Sequence, residues 1–310
     1  MKSPRLADLP PPPPGKSGWP WTEESPVATP TSPFPRISLI TPSFNQAQYL
    51  EETLRSALLQ GYPEMELLVV DGGSTDGSVA LIEKYAPHLT WWISERDNGQ
   101  SQAINKGFRR ATGSVLGWLN SDDVLFPGAL QAIGRAALDQ PAAGLIYGAG
   151  AKISPTGEVQ KEIPFRPVNL RLLRTQFYLL QPSSFFTRAA LDAVGLLDED
   201  QHYVMDWDLA LRIARKFPLH AIPDQIGMWR DYPETKTRSS PETRWFEIVR
   251  TARKFNGVFD RNVIVFWLLY LLARARRATG WNAFAHLDRT ARRLLSCIWS
   301  ENSYMAHSFR

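Results

Sequence analysis

Residues 115–124 read Val-Leu-Gly-Trp-Leu-Asn-Ser-Asp-Asp-Val, an apolar stretch of strand character that runs into two adjacent carboxylates, Asp122 and Asp123. Neighbouring carboxylates repel unless a cation or hydrogen bonds offset them. An all-oxygen pair suits a hard divalent cation, Mg²⁺ or Mn²⁺, and such a cation is in turn suited to a substrate diphosphate. The pair therefore points to phosphate chemistry. Asp is also common in turns and at helix N-caps, and the local pattern leaves that alternative open. Further acids recur in comparable settings. Asp71 closes a second apolar run and opens Asp71-Gly-Gly-Ser-Thr-Asp-Gly77, while Asp206 and Asp208 stand at the entry of an amphipathic helix.

The elements that must position these acids are legible from periodicity. Ile37–Thr41 reads as a strand ended by Pro42, and Leu50, Leu54 and Leu58 repeat at helical spacing until Gly61-Tyr-Pro63. Met65–Val70 is a second strand. Ser74 and Asp76 are candidate caps for a helix reaching Tyr85, Thr90–Ser94 is a third strand, and a helix covers Ser101–Arg110 before the fourth strand. This alternation implies right-handed βαβ units and an α/β fold with a mostly parallel sheet flanked by helices. Ligands bind beyond the carboxyl ends of such strands, where Asp71 and the Asp122/Asp123 pair both fall. The second half is mixed. Leu145–Ile153 and Val159–Ile163 form a hairpin, and Asp206–Phe217 is a helix with Leu209, Ile213 and Phe217 on one stripe.

At 310 residues the chain can bury one large core or two modest domains. Its single cysteine, Cys297, excludes an intrachain disulfide, and no Cys/His cluster has zinc-site spacing. Residues 1–35 hold 11 of the 24 prolines, five of them consecutive at 10–14, which predicts an extended or disordered arm. Trp19 and Trp21 are candidates to anchor part of it. The N-terminus lacks an apolar run of signal-peptide length, so a cytoplasmic location is expected. The net charge of +4 is uneven, with 12 Lys/Arg against 5 Asp/Glu in residues 241–310. Basic excess confined to one segment argues against nucleic acid as a partner.

The chain resembles glycosyltransferase family two, the inverting nucleotide-sugar transferases of the GT-A fold. Seven segments carry the resemblance in order: Ser38-Leu-Ile-Thr-Pro-Ser-Phe-Asn45, Val70-Asp-Gly-Gly-Ser-Thr-Asp-Gly77, Glu95-Arg-Asp-Asn-Gly-Gln100, Ala103-Ile-Asn-Lys-Gly107, Leu119-Asn-Ser-Asp-Asp123, Gln181-Pro-Ser-Ser-Phe185 and Met205-Asp-Trp-Asp-Leu209. It implies a GT-A-type, Rossmann-like catalytic domain over 36–235, with a nucleotide-sugar-binding half (36–130) and an acceptor-binding half (131–235), followed by a basic helical extension over 236–310. The implied activity is metal-dependent transfer from a nucleotide sugar, UDP-linked by the family's commonest usage, to a saccharide or lipid-linked saccharide acceptor in cell-surface polysaccharide or glycolipid synthesis.

Site roles follow from the resemblance residue by residue. Pro42, Phe44 and Asn45 belong to the nucleotide-binding loop, Phe44 as a ring against the base, and Asp71 matches the acid that hydrogen-bonds it. Asn120, Ser121, Asp122 and Asp123 match the ribose and metal site, with Asp122 and Asp123 as the metal ligands. Asn120 departs from the D-x-D pattern and weakens the charge facing a metal. Asp206 matches the catalytic base, with Asp208 second. Arg96, Asp97 and Lys106 are candidate donor contacts, and Gln181–Ser184 matches an acceptor-side loop. Tyr232 replaces the histidine of an Arg-x-His element, leaving Arg230 as a phosphate contact. Asn120 and Tyr232 sustain an alternative, a catalytically impaired protein of the same fold that binds nucleotide or glycan. A nicotinamide oxidoreductase would need G-x-G-x-x-G after the first strand, where this chain has Thr41-Pro-Ser-Phe-Asn45. A sugar-phosphate nucleotidyltransferase would need a glycine-rich, basic first loop, which is likewise missing.

Val263–Ala273 is eleven apolar residues between Arg261 and the group Arg274, Arg276 and Arg277. A bilayer span needs about 20. Together with the aromatic, leucine and arginine pattern through Trp299, the stretch 261–299 suits either a helix at an anionic membrane surface, on the inner face of the cell membrane, or a helical pair packed on the catalytic domain.

Overall fold

A computed structural model describes residues 3–28, 33–175, 179–236 and 241–279. The first half alternates β1 (Ile37–Ser43), α1 (Ala47–Leu58), β2 (Met65–Asp71), α2 (Ser78–Tyr85), β3 (Trp91–Ser94), α3 (Gln100–Arg110) and β4 (Val115–Trp118). Then come β5 (Val124–Leu125), α4 (Ala129–Asp139), β6 (Leu145–Ile153), β7 (Val159–Ile163), α5 (Leu170–Leu173), β8 (Ser184–Thr187), α6 (Arg188–Val194), α7 (Met205–Ala214), β9 (Leu219–Arg230), α8 (Pro241–Asn256) and α9 (Arg261–Thr279).

The strands form one sheet in the order β3-β2-β1-β4-β8-β6-β9-β5, with β7 paired to β6. It is parallel from β3 to β4. Beyond that it is mixed, because β8 runs antiparallel to both β4 and β6. Pro42 does not end β1, which runs on to Ser43 against β2. Pairing with β4 stops at Ile40, so the proline's missing N–H falls where no β4 partner needs it.

Period-two alternation splits the core across the sheet. Leu39, Val69 and Val115 face α1, α2 and α4, whereas Ile40, Val70 and Leu116 face α3, α6, α7, α8 and α9. Gly107 lets α3 lie close on β1, since a Cβ there would sit 2.6 Å from Ile40 side-chain carbons. That approach brings the N-terminus of α3 to the carboxyl edge of the sheet.

The proline-rich arm, expected to be extended or disordered, is packed along residues 3–28, with Leu9 and Trp21 buried. The reason lies in α1. Arg55, fully buried, donates from Nε to the Pro20 carbonyl (3.1 Å), from Nη1 to Pro10 (2.8 Å) and from Nη2 to Trp21 (2.8 Å). Prolines cannot donate but their carbonyls accept, and one guanidinium supplies five donors. Trp19 adds Nε1–H to the Leu125 carbonyl at 2.8 Å.

Within 261–279 the helical pair packs on the catalytic body. Val263, Phe266 and Leu269 are buried, and Phe266 meets Trp207 of α7 edge-on at 6.2 Å. Residues 280–299 of the expected membrane-surface stretch, and Cys297, lie outside the described residues. No helix among the described residues is long and apolar enough to cross a membrane.

Candidate functional site

A cavity of about 930 Å³ opens beyond the carboxyl ends of β1, β3 and β4. Its walls include Pro42 and Phe44 after β1, Gly72 after β2, Arg96 and Asp97 after β3, and Asn120, Ser121, Asp122 and Asp123 after β4. Asp206 at the start of α7 lines the same cavity, as do Gln181, Trp229 and Arg230. Two separate acidic positions thus share one space.

Phe44 is 60% exposed, the opposite of a core phenylalanine. Gly72 lies close beside it: an added Cβ would be 2.9 Å from Asp97 Oδ2 and 3.2 Å from the Phe44 ring. The missing side chain keeps a flat slot open beside an exposed aromatic face, which suits a planar base.

Asp71 and Asn45 do not line that cavity. Asp71 is fully buried, with Oδ2 accepting from Gly73 N, Ser74 N and Ser94 Oγ and Oδ1 from Ser74 Oγ, so its acceptors serve its own loop. Asn45, at φ 51°, accepts from Thr75 N and donates its own N–H to Ser74 Oγ. Ser74 is accordingly a loop tie rather than a helix cap. Both side chains are engaged by the loop that follows β2. Lys106, expected as a donor contact, is paired with Glu95 at 2.8 Å away from the cavity lining.

The acidic pair divides into two environments. Asp123 is buried, Oδ1 accepting from Arg230 N (3.0 Å) and Oδ2 from Asn120 Nδ2 (3.1 Å). Burial and the neighbouring Asp122 charge push its carboxyl well above the usual range. Asp122 is part-exposed toward the cavity and accepts from Tyr232 Oη at 2.8 Å. Its carboxyl is also raised, by desolvation, with the Tyr232 hydrogen bond opposing. Tyr232, at the place of the histidine in the Arg-x-His element, thus donates to the acid. Arg230, expected to reach a phosphate, is fully buried and spends its guanidinium on the carbonyls of Asp122, Ser154 and Pro155 and on Glu52 at 3.1 Å. It fixes the loop carrying the acids.

Among the described residues no group of three or more His, Cys, Asp or Glu could hold a metal ion. A hard cation of the Mg²⁺ type is commonly held by one or two carboxylates and completed by substrate phosphates. Asp122, part-exposed on the cavity wall with Asp123 behind it, fits that substrate-completed pattern and does not fit a protein-only cage.

Asn120 joins the acids to the far wall. Its Oδ1 accepts from Gln100 Nε2 (2.6 Å), its Nδ2 also donates to Gln181 Oε1 (3.1 Å), and Gln100 Oε1 accepts from Lys236 Nζ (2.8 Å). Gln181 is anchored in turn by Nε2 on the Trp118 carbonyl, while Ser183 and Ser184 bond backbone carbonyls in the core.

Asp206 accepts the Trp207 N–H at 2.8 Å in the first turn of α7. Desolvation pushes its carboxyl up to about 6, against the pull of that N–H, Arg244 and Lys236. Asp208, by contrast, is fully buried between Arg212 (2.7 Å) and Lys254 (2.7 Å), which makes it a structural ion-pair centre facing away from the cavity.

Reasoning from sequence missed Lys236 and Arg244, both on the cavity wall. Burial lowers the Lys236 ammonium to about 8. Neither lies in a matched segment, and the boundary drawn after 235 falls inside this wall. Gln100, the last residue of a matched segment, was the one available signal for the amide chain.

The family model described as "Glycosyl transferase family 2" matches residues 38–195. An uncharacterized glycosyltransferase of Rickettsia typhi is 28% identical over 200 residues, covering 58% of this chain and 59% of the relative. The putative teichuronic acid biosynthesis glycosyltransferase TuaG of Bacillus subtilis is 37% identical over 94 residues, 29% of this chain and 36% of TuaG. The chain thus spans six-tenths or less of the length of either. Among solved structures, S. aureus TarS 1-349 in complex with UDP-GlcNAc superposes with TM-score 0.59 at 20% identity, over 80% of this chain and 75% of TarS 1-349. The mannosyltransferase PcManGT of Pyrobaculum calidifontis, in complex with GDP-Man and Mn²⁺, gives 0.56 at 19% identity, over 93% and 88%. These two likenesses establish the shared fold.

Proposed function

The chain belongs to glycosyl transferase family 2, and from that premise we propose that it transfers a sugar, with inversion, from a UDP-linked donor to an acceptor hydroxyl. The acceptor is a saccharide or lipid-linked saccharide of cell-surface polysaccharide or glycolipid synthesis, the setting that the name of TuaG supports. The observation that carries the reading is the presence of two distinct acidic stations on one cavity, Asp122/Asp123 and Asp206. In-line displacement needs a base at the attacking hydroxyl, apart from the groups that hold the leaving nucleoside diphosphate.

Phe44 stacks on the base beside Gly72, and Asp97 closes the slot. Asp122, with Asp123 behind it, would hold Mg²⁺ or Mn²⁺. A cation bound there offsets charge growing on the departing phosphate. Lys236 and Arg244 add positive charge to the same wall. Asp206 takes the proton of the acceptor hydroxyl as the glycosidic bond forms. With its carboxyl near 6 it is ionised at neutral pH yet more basic than an ordinary aspartate.

The test is transfer from UDP-sugars with Mn²⁺ by the intact chain and by Asp206→Asn. Product with an inverted anomeric centre, lost in the variant, supports the reading. Equal turnover by both proteins removes the base assignment. Saturable nucleotide binding with no turnover in either selects the impaired binding protein that Asn120 keeps in view.

A further inference from the structure

We propose that the outer face of α9 docks on an anionic lipid surface. One side of this helix is core, through Val263, Phe266 and Leu269. On another side Ile264, Leu268 and Leu271 are 50%, 56% and 50% exposed. Their spacing of four and three residues places them in one stripe along the helix. Arg261, three residues before the stripe, and Arg274, three residues after it, are exposed at its two ends. Asp260 is the one acid from 258 to 279, and it is engaged at the start of the helix, accepting the Asn262 N–H at 2.8 Å. The turn before α9 adds Phe259, 94% exposed, beside exposed Val258. A large aromatic ring held almost wholly in water next to an apolar stripe is what an interfacial helix presents.

Charge decides the occupant. If a second copy of the helix lay on the stripe in parallel, Arg261 would face Arg261 and Arg274 would face Arg274. In the antiparallel arrangement each Arg261 would face Arg274. Both arrangements set like charges at the ends of the seam, whereas a surface of anionic headgroups neutralises both arginines while the acyl boundary takes the leucines. Phe246 of α8, half-exposed, lies 5.9 Å from Tyr270 of α9, whereas Arg244 and Ile248, two residues to either side of it, project from the opposite face of α8 toward the cavity. The docking surface is therefore independent of the proposed transfer.

The experiment is flotation of the full chain with phosphatidylglycerol/phosphatidylcholine vesicles and with pure phosphatidylcholine vesicles. Partitioning should be strong on the anionic vesicles and weak on the neutral ones, and should fall with added salt. Arg261→Gln with Arg274→Gln should lower it roughly 30-fold, since each cation near an anionic surface contributes about fivefold. The triple variant Ile264→Gln, Leu268→Gln, Leu271→Gln should abolish it, with thermal unfolding unchanged because the three side chains are already exposed. Equal partitioning on both vesicle types overturns the proposal. So does wild-type binding by both variants, which would put the contact elsewhere in the chain. A concentration-dependent dimer that the triple variant loses would make the stripe an interface between copies, and would also overturn it. Vesicle binding without glycosyl transfer would uphold the docking surface and count only against the enzymatic reading.

Discussion

Replacing Asp206 by Asn should remove activity and stabilise the protein in the same stroke, and pH separates the two effects. The amide keeps an acceptor for the Trp207 N–H, so the change is close to isosteric and removes chiefly the charge. Burial raises the carboxyl from 3.8 to about 6, which corresponds to about 3 kcal/mol of unfavourable ionisation in the folded state. Water reaching a part-exposed group reduces that to roughly 1–3 kcal/mol. The sign follows from linkage. Below the unfolded value, near pH 4, the group is protonated in both states and costs nothing. As pH rises through 6 the folded protein is left holding a desolvated charge, and stability is lost. Urea unfolding of both proteins should therefore show the variant gaining roughly 0.5–2 kcal/mol more at pH 8 than at pH 4.5, where part of the loss has already occurred. The other acids titrate alike in both proteins and cancel. In parallel, kcat/KM of the unsubstituted chain should fall about tenfold per pH unit below 6, and the variant should lose about 10²–10⁴-fold at pH 7.5. A stability difference that does not change with pH, together with an acid limb near pH 4, would refute the assignment of Asp206 as a desolvated base.

Phe44→Ala should weaken donor or nucleoside diphosphate binding about tenfold in calorimetry while leaving Tm unchanged, because the ring is 60% exposed. Tyr232→Phe, which strips one donor from Asp122, should raise donor KM roughly 10- to 100-fold in steady-state assays, the cost of about one hydrogen bond to a charged group. Asp208→Asn should lower stability by about 2–4 kcal/mol in chemical denaturation, through loss of the charge that Arg212 and Lys254 share, with kcat close to that of the unsubstituted chain. Arg55→Ala should cost about 2–4 kcal/mol by stranding the buried Pro20 and Trp21 carbonyls and the part-buried Pro10 carbonyl, and limited proteolysis should then cut first within residues 3–28.

The fold was legible because its signals are local. Strand and helix periods from Ile37 to Trp118 match the observed elements closely, and they place Asp122 beyond the sheet's carboxyl edge; Phe44, Asp97 and Asp206 were legible only through the family resemblance. What sequence could not supply was the allocation of hydrogen bonds. Asp71 and Asp122 are both acids at strand ends, yet one closes its own loop and the other faces the cavity. Arg230 stands beside the acidic pair, as a phosphate ligand would, but its direction is inward. The order of the arm is not legible in its proline count, because prolines lack N–H donors but keep carbonyl acceptors, and a single buried arginine on α1 draws on them. Lys236 and Arg244 were invisible because they come from a loop and a helix beyond the matched segments and reach the site only through packing.

The departure at Asn120 is better understood as one part of a coupled arrangement than as a damaged acidic motif. An aspartate there could accept from Gln100 but could not donate to Asp123 or to Gln181, both of which Asn120 Nδ2 does. Asp123, already buried beside Asp122, would gain a second carboxylate neighbour and lose one of its two donors. The amide instead acts as acceptor at one end and donor at the other, linking Lys236 through Gln100 to the buried acid. Lys236 and Arg244 line the same cavity beside Asp206, where both draw on its carboxylate. The amide at 120 thus leaves two carboxylates after β4 and a hydrogen-bonded chain that runs from them to a cationic wall, with each donor meeting an acceptor.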